Sequence, residues 1–159
     1  MTYYTAFKTP YWEIILVGDE NGITHLHMVT NEGKRDFIIK ENWQRDDAMF
    51  TEARKQILEY FDGKRTQFDL PLNPQGTEFQ KKAWKALRTI PFGEVRTYKE
   101  MAESIGNPNA SRAVGTANAK NPIPLIIPCH RVIATGGKLA GFALGVDAKE
   151  RLLRLEKAI

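Results

Sequence analysis

Short apolar and β-branched runs separated by polar turns mark the first third of the chain as β. Tyr3–Lys8, Trp12–Val17 and Ile23–Val29 predict three strands, and Gly18-Asp19-Glu20-Asn21-Gly22 predicts a hairpin between the last two. The period then changes. Phe50, Arg54, Ile57, Leu58 and Phe61 recur at helical spacing behind Asp46-Asp47, which predicts a helix capped by those aspartates and stopped near Gly63. Residues 69–76, with Pro71, Pro74 and Gly76, read as a linker that divides 1–73 from 74–159.

The second half reads as helical. Thr77 is placed to cap a helix whose Phe79, Ala83, Trp84 and Leu87 form a core stripe, broken at Ile90-Pro91-Phe92-Gly93. A helix from Thr97 to Ile105, the turn Gly106-Asn107-Pro108 and a helix from Asn109 to Ala119 have helix-turn-helix spacing, which many helical hairpins share. Asp147 and Glu150 predict a capping box for a last helix that turns Leu152, Leu155 and Ile159 inward. Glu156 near its end opposes the helix dipole, so a specific partner is expected for it.

At 159 residues the chain can bury a real core, as one domain or two small ones. No apolar run is long enough to span a membrane, and Met1–Thr5 lacks the features of a signal peptide. The net charge of +4 is unevenly spread: residues 1–73 hold 9 Lys/Arg against 12 Asp/Glu, and residues 74–159 hold 14 against 7. A basic second half fits a polyanion, and on charge alone a merely solvated surface fits as well. The helix around 109–119 adds to the first reading. Ala110, Ala113, Gly115 and Ala117 leave its surface nearly bare, with Arg112 and Lys120 near its ends, so a nucleic-acid backbone could approach closely. Tight helix packing would use the same small residues; taken with the charge asymmetry, DNA contact is favoured.

Cys129 is the only cysteine, which excludes an internal disulfide and a cysteine-based zinc site. It is therefore either a packed thiol or a reactive one. His130 and Arg131 beside it favour a thiolate, while Pro122, Pro124 and Pro128 stiffen the path as a pocket wall would require. The expectation is a nucleophile, in a reducing and hence cytoplasmic setting. The glycine-dotted segment 136–145 is expected to form a loop that can lie against a flat ligand. His25 and His27 alternate along a strand and read as surface or packing residues, so neither a metal nor a cofactor is expected.

The string Pro128-Cys129-His130-Arg131-Val132, preceded by Asn121-Pro122-Ile123-Pro124, resembles the active-site signature of the O6-alkylguanine-DNA alkyltransferases. The likeness extends through Phe92-Gly93-Glu94-Val95, Thr97-Tyr98, Gly106-Asn107-Pro108, Arg112-Ala113-Val114-Gly115 and Gly136 to Glu156, and is only general over the first 75 residues. The resemblance implies an α/β, ribonuclease-H-like N-terminal domain followed by a mainly α C-terminal domain with a helix-turn-helix. It implies in-line transfer of an alkyl group from O6 of guanine, and less securely from O4 of thymine, to Cys129. His130 would be the base and Glu156 its orienter; Tyr98 would donate at guanine N3, and Asn121 would link the helices to the active segment. DNA contacts would come from Ala110, Ser111, Arg112, Ala113, Gly115 and Arg131. The second helix would lie in the minor groove, with Arg112 filling the space left by a flipped base. Pro124, Val132, Phe142, Ala143 and Leu144 would form the substrate pocket, and Leu144, where smaller residues are usual, is expected near its rim. The product thioether implies a single-use protein acting as a monomer on double-stranded DNA. Two other readings fit less well: a non-reacting protein that recognises alkylated bases and recruits repair factors, and a cysteine hydrolase. The thiol itself argues against the first, and the basic helix pair against the second.

Overall fold

The computed structural model describes residues 1–30, 37–139, 142 and 144–159. Strands β1 (Tyr3–Lys8), β2 (Glu13–Asp19) and β3 (Gly22–Val29) form an antiparallel meander. The hairpin is tighter than the glycine cluster suggests: Asp19 already pairs with Gly22, the Asp19 carboxylate accepts from Asn21 N, and a bulge at Val17/Gly18 takes up the twist. A two-residue strand, β4 (Gln44–Arg45), adds parallel to β1 and gives the order β3-β2-β1-β4. Nothing in its sequence announces it.

A 3-10 turn (Ala48–Phe50) leads into α1 (Thr51–Phe61), which presents Ala53, Ile57, Tyr60 and Phe61 to the core. Neither expected aspartate caps α1, whose N-cap is Phe50; Asp46 accepts from Met49 N at 3.2 Å in the 3-10 turn before it. Asp47 instead accepts from Thr5 Oγ1 (2.7 Å) and Arg45 Nε (2.9 Å), tying the turn to the sheet edge.

The segment after α1 runs along β3 rather than hanging free: Ile23 N donates to Pro71 O and Asn73 N to Ile23 O. Helix α2 (Glu78–Leu87) begins with a full Thr77/Gln80 capping box, and α3 (Tyr98–Ser104) with a Thr97/Glu100 one. Helix α4 (Ser111–Ala119) packs against both, with Trp84 Nε1 donating to Ala117 O at 2.9 Å. Strands β5 (Arg96–Thr97) and β6 (Val132–Ile133) pair in parallel.

Helix α5 (Val146–Leu155) starts from Gly145, whose φ of 103° suits glycine. Asp147 therefore falls inside the first turn and does not cap; it faces the dipole and pairs with Arg151 at 3.7 Å. The inward stripe also differs from expectation, since Leu152 and Leu153 are buried while Ile159 is 51% exposed. One buried cluster runs from Phe7 through Tyr60 and Trp84 to Leu152, so the two halves share a core. Direct bonds reinforce it: Leu26 N donates to Pro122 O (2.9 Å) and Thr30 Oγ1 to Leu144 O (2.6 Å).

Candidate active site

The thiol sits on a segment whose path is fixed from within. Asn121, fully buried, donates from Nδ2 to Ile127 O (2.8 Å) and accepts from Ile123 N at Oδ1 (2.9 Å), closing the loop over the prolines. Those bonds hold Leu125 at a φ of 77°, a conformation costly for a residue with a Cβ. Pro128 then makes an inverse γ-turn, with Cys129 N donating to Ile127 O at 2.7 Å. A 3-10 turn over Cys129–Arg131 follows, and Asn118 Nδ2 steadies the Cys129 carbonyl at 3.2 Å. Cys129 is buried but not sealed, at 4% exposure.

Glu156, at the C-terminal end of α5, is the hub behind it. Its Oε2 meets His130 Nε2 (2.8 Å), Arg131 Nη2 (3.0 Å) and the Tyr60 hydroxyl (2.5 Å), and its Oε1 accepts from Arg131 Nε (2.8 Å). Arg131 Nη1 is spent on Ile90 O at 2.7 Å. All four side chains are buried. Burial opposes the Glu156 charge most strongly, yet the hydrogen bonds and charges of His130 and Arg131 outweigh it and hold the carboxyl at about 2. Burial pushes the His130 imidazole down, against the pull of Glu156, so the ring is neutral at neutral pH and Arg131 is the permanent counter-charge. An ionised Glu156 accepts from Nε2–H, which leaves the Nδ1 lone pair as the basic one. Among the described residues Nδ1 has no hydrogen-bond partner.

Arg131 is thereby corrected: it is not a DNA contact. A guanidinium 7% exposed, with three donors committed, cannot reach a phosphate; its work is to neutralise Glu156.

Lys149 is a second buried cation. Its Nζ donates to Val132 O at 2.5 Å, and burial lowers its pKa to about 8 while the charge of Cys129 raises it. Tyr98 also feels Cys129: burial raises its pKa, the Asn118 side chain lowers it, and the sulfur's charge raises it. Its ring lies beneath α4, where a Cβ added at Gly115 would meet Tyr98 at 3.9 Å. Tyr98, Ser111, Arg112, Gly115, Thr116, Ala119 and Lys120 line an open depression of about 590 Å³.

The structure thus brings Cys129, His130 and Glu156 together, with Asn121 and Tyr98 beside them. Of the expected DNA-facing residues, Arg112 and Ala113 are exposed, Ser111 and Gly115 half-buried, and Ala110 buried at 8%. Pro124 and Val132 are buried, and Phe142 packs half-buried on the core. Ala143 lies outside the described residues. Leu144 is corrected: at 1% exposure its side chain belongs to the core, not to an open rim.

Tyr60, Asn118 and Lys149 escape sequence reading. For Lys149 a signal exists, because Lys149, Leu152, Leu153 and Glu156 follow the i, i+3, i+4, i+7 pattern of a buried face. Two charges on such a stripe call for partners.

Comparison with known proteins agrees with this geometry. Residues 78–158 match the family model of the 6-O-methylguanine DNA methyltransferase DNA-binding domain, and residues 2–74 match that of its ribonuclease-like domain. A methylated-DNA–protein-cysteine methyltransferase of Methanosarcina acetivorans is 50% identical over 154 residues, 97% of each chain. One from Mycobacterium bovis is 44% identical over 160 residues, 99% of this chain and 94% of the relative. The crystal structure of Mycobacterium tuberculosis O6-methylguanine methyltransferase is similar at a TM-score of 0.89 and 43% identity, covering 99% of this chain and 94% of that one. A further M. tuberculosis structure, in complex with DNA, has the same TM-score at 44% identity, with 98% and 93% covered. A ribonuclease-like half, a DNA-binding half and a single thiol set before a buried His–Glu–Arg network place the chain in the methylated-DNA–protein-cysteine methyltransferase family.

Proposed function

We propose that the chain repairs DNA directly, taking the alkyl group from O6-alkylguanine onto Cys129 in a single turnover. The observation that carries this reading is the buried charge set around the sulfur. Arg131 neutralises Glu156, and Lys149 stands near enough to Cys129 for their charges to interact. A cation so placed favours the thiolate, which is the attacking species. His130 accepts the thiol proton at Nδ1, steadied by Glu156 through Nε2. The sulfur then attacks the alkyl carbon in line: an S–C bond forms, the C–O6 bond breaks, and the electron pair leaves on guanine. Tyr98, kept protonated by burial, donates to N3 as charge builds there. O4-alkylthymine carries the same exocyclic alkyl ether and falls in the same substrate class. The thioether is not reversed by thiol exchange, so each molecule acts once.

The target oxygen is inaccessible in a duplex, so the nucleotide is flipped into the site. α3 and α4 act as the helix-turn-helix, α4 lies in the minor groove, and Arg112 fills the vacated space. Gly115 supports this placement. Its Cβ would find only ordinary contact at 3.9 Å, so packing does not require glycine there. A mid-helix glycine costs about 0.5–1 kcal/mol, and close approach of a DNA backbone is the compensating use. In this reading residues 1–73 support the site and residues 74–159 bind DNA and react. The protein works as a monomer in the cytoplasm; no helix among the described residues is long and apolar enough to cross a membrane.

Intact mass after mixing with a duplex carrying one O6-methylguanine tests the reading. One added CH2 per molecule, located to Cys129, is expected. Cys129→Ser should keep duplex affinity and lose all transfer. An unchanged wild-type mass with lesion-selective binding would replace this reading with that of a recognition protein.

A further inference from the structure

Tyr60 belongs to α1, in the half that sequence reading treats as mere support, yet its hydroxyl reaches the centre of the site. It donates to Glu156 Oε2 at 2.5 Å, the same oxygen that His130 Nε2 meets at 2.8 Å. Its ring cannot swing away. Phe61 and Phe92 pack edge-on at 5.2 and 6.1 Å, Phe68 lies tilted at 5.4 Å, and Tyr60 is 1% exposed. We propose that Tyr60 is a positioning residue of the transfer reaction: by sharing Glu156 Oε2 with His130, its hydroxyl sets how strongly that carboxylate holds a proton on the imidazole.

One crowded oxygen carries the effect. Oε2 serves His130, Arg131 and Tyr60 at once, so each donor has less of its charge than it would alone. Tyr60 is a constant donor. Burial above all, then the charge of Glu156 and the hydrogen bond to it, push the phenol well above its ordinary range; Tyr11 adds slightly and Arg131 opposes.

The other groups facing the imidazole are Arg131 from its own turn and Lys149 from α5, both of which push it toward neutrality. Cys129, its sequence neighbour, is faced in turn by Lys149 and Tyr98. Removing the phenol oxygen returns charge to the side of Oε2 that holds His130. The imidazolium then gains stability, His130 takes the thiol proton more readily, and thiolate forms at lower pH. The N-terminal half is thus part of the reactive apparatus.

This inference rests on the alkyl-transfer reading for its purpose, but its test does not. With one cysteine in the chain, labelling by iodoacetamide followed by intact mass reports Cys129 alone. In Tyr60→Phe the acid limb of the labelling rate against pH should move to lower pH by about half a unit or more. A 3-fluorotyrosine placed at 60, a stronger donor with the same fold, should move it to higher pH. Ile14→Ala, in the core of the sheet, should lower the melting temperature and leave the limb in place. A Tyr60→Phe profile that superimposes on wild type, or moves to higher pH, would overturn the proposal, as would a fluorotyrosine profile that does not move. Failure of the wild type to accept a methyl group from the O6-methylguanine duplex would instead sink the transfer reading.

Discussion

Glu156 shows how much one buried carboxylate can organise. Glu156→Gln keeps the shape but strands the Arg131 guanidinium, a change that typically costs about 3–5 kcal/mol. Urea unfolding at neutral pH should show that loss, and single-turnover transfer should slow at least tenfold. Because the carboxyl is held at about 2 rather than the ordinary 4.5, its contribution is present above about 4.5 and disappears as the pH falls toward 2. Stability curves of wild type and Glu156→Gln should therefore converge across that acid window. Cys129 and His130 stand out in the sequence because they adjoin, whereas the Glu156 that meets the imidazole lies 26 residues on. Arg131 was misread because a sequence displays a charge but not its burial. Tyr60 was invisible: it stands 96 residues from the carboxylate it serves.

At the scale of elements, local chemistry was legible where a short-range bond decides the boundary. Thr77 caps α2 as its sequence promises, since the partner Gln80 is three residues away. Asp147 fails because α5 is capped at Gly145, two residues before the aspartate. β4 could not be read at all, for two residues acquire strand character only from pairing with the distant β1. Helix α4 offers a test in which stability and function part company. Gly115→Ala should raise helix stability by up to about 1 kcal/mol in thermal melts. The same variant should bind duplex DNA several-fold more weakly in fluorescence anisotropy, since the added methyl stands on the open face beside Tyr98.

The whole molecule couples a negatively charged half to a positively charged one, 9 Lys/Arg against 12 Asp/Glu before residue 74 and 14 against 7 after it. The logarithm of the duplex binding constant should accordingly fall linearly with the logarithm of salt concentration. Lys120→Ala, which removes a cation at the end of α4, should reduce that slope by about one, whereas Arg112→Ala should slow transfer from the duplex while leaving transfer from a free alkylguanine base unchanged. The order in which the chain is made adds a consequence of its own. Glu156 lies 26 residues beyond His130, so a ribosome working at about 5–20 residues per second makes the thiol segment roughly one to five seconds before the carboxylate. On the proposed mechanism the sulfur should behave through that interval as an ordinary cysteine, to be armed once α5 brings Glu156 and Lys149 into place. A nascent chain would thereby be spared premature alkylation, which the proposed one-shot transfer could not reverse.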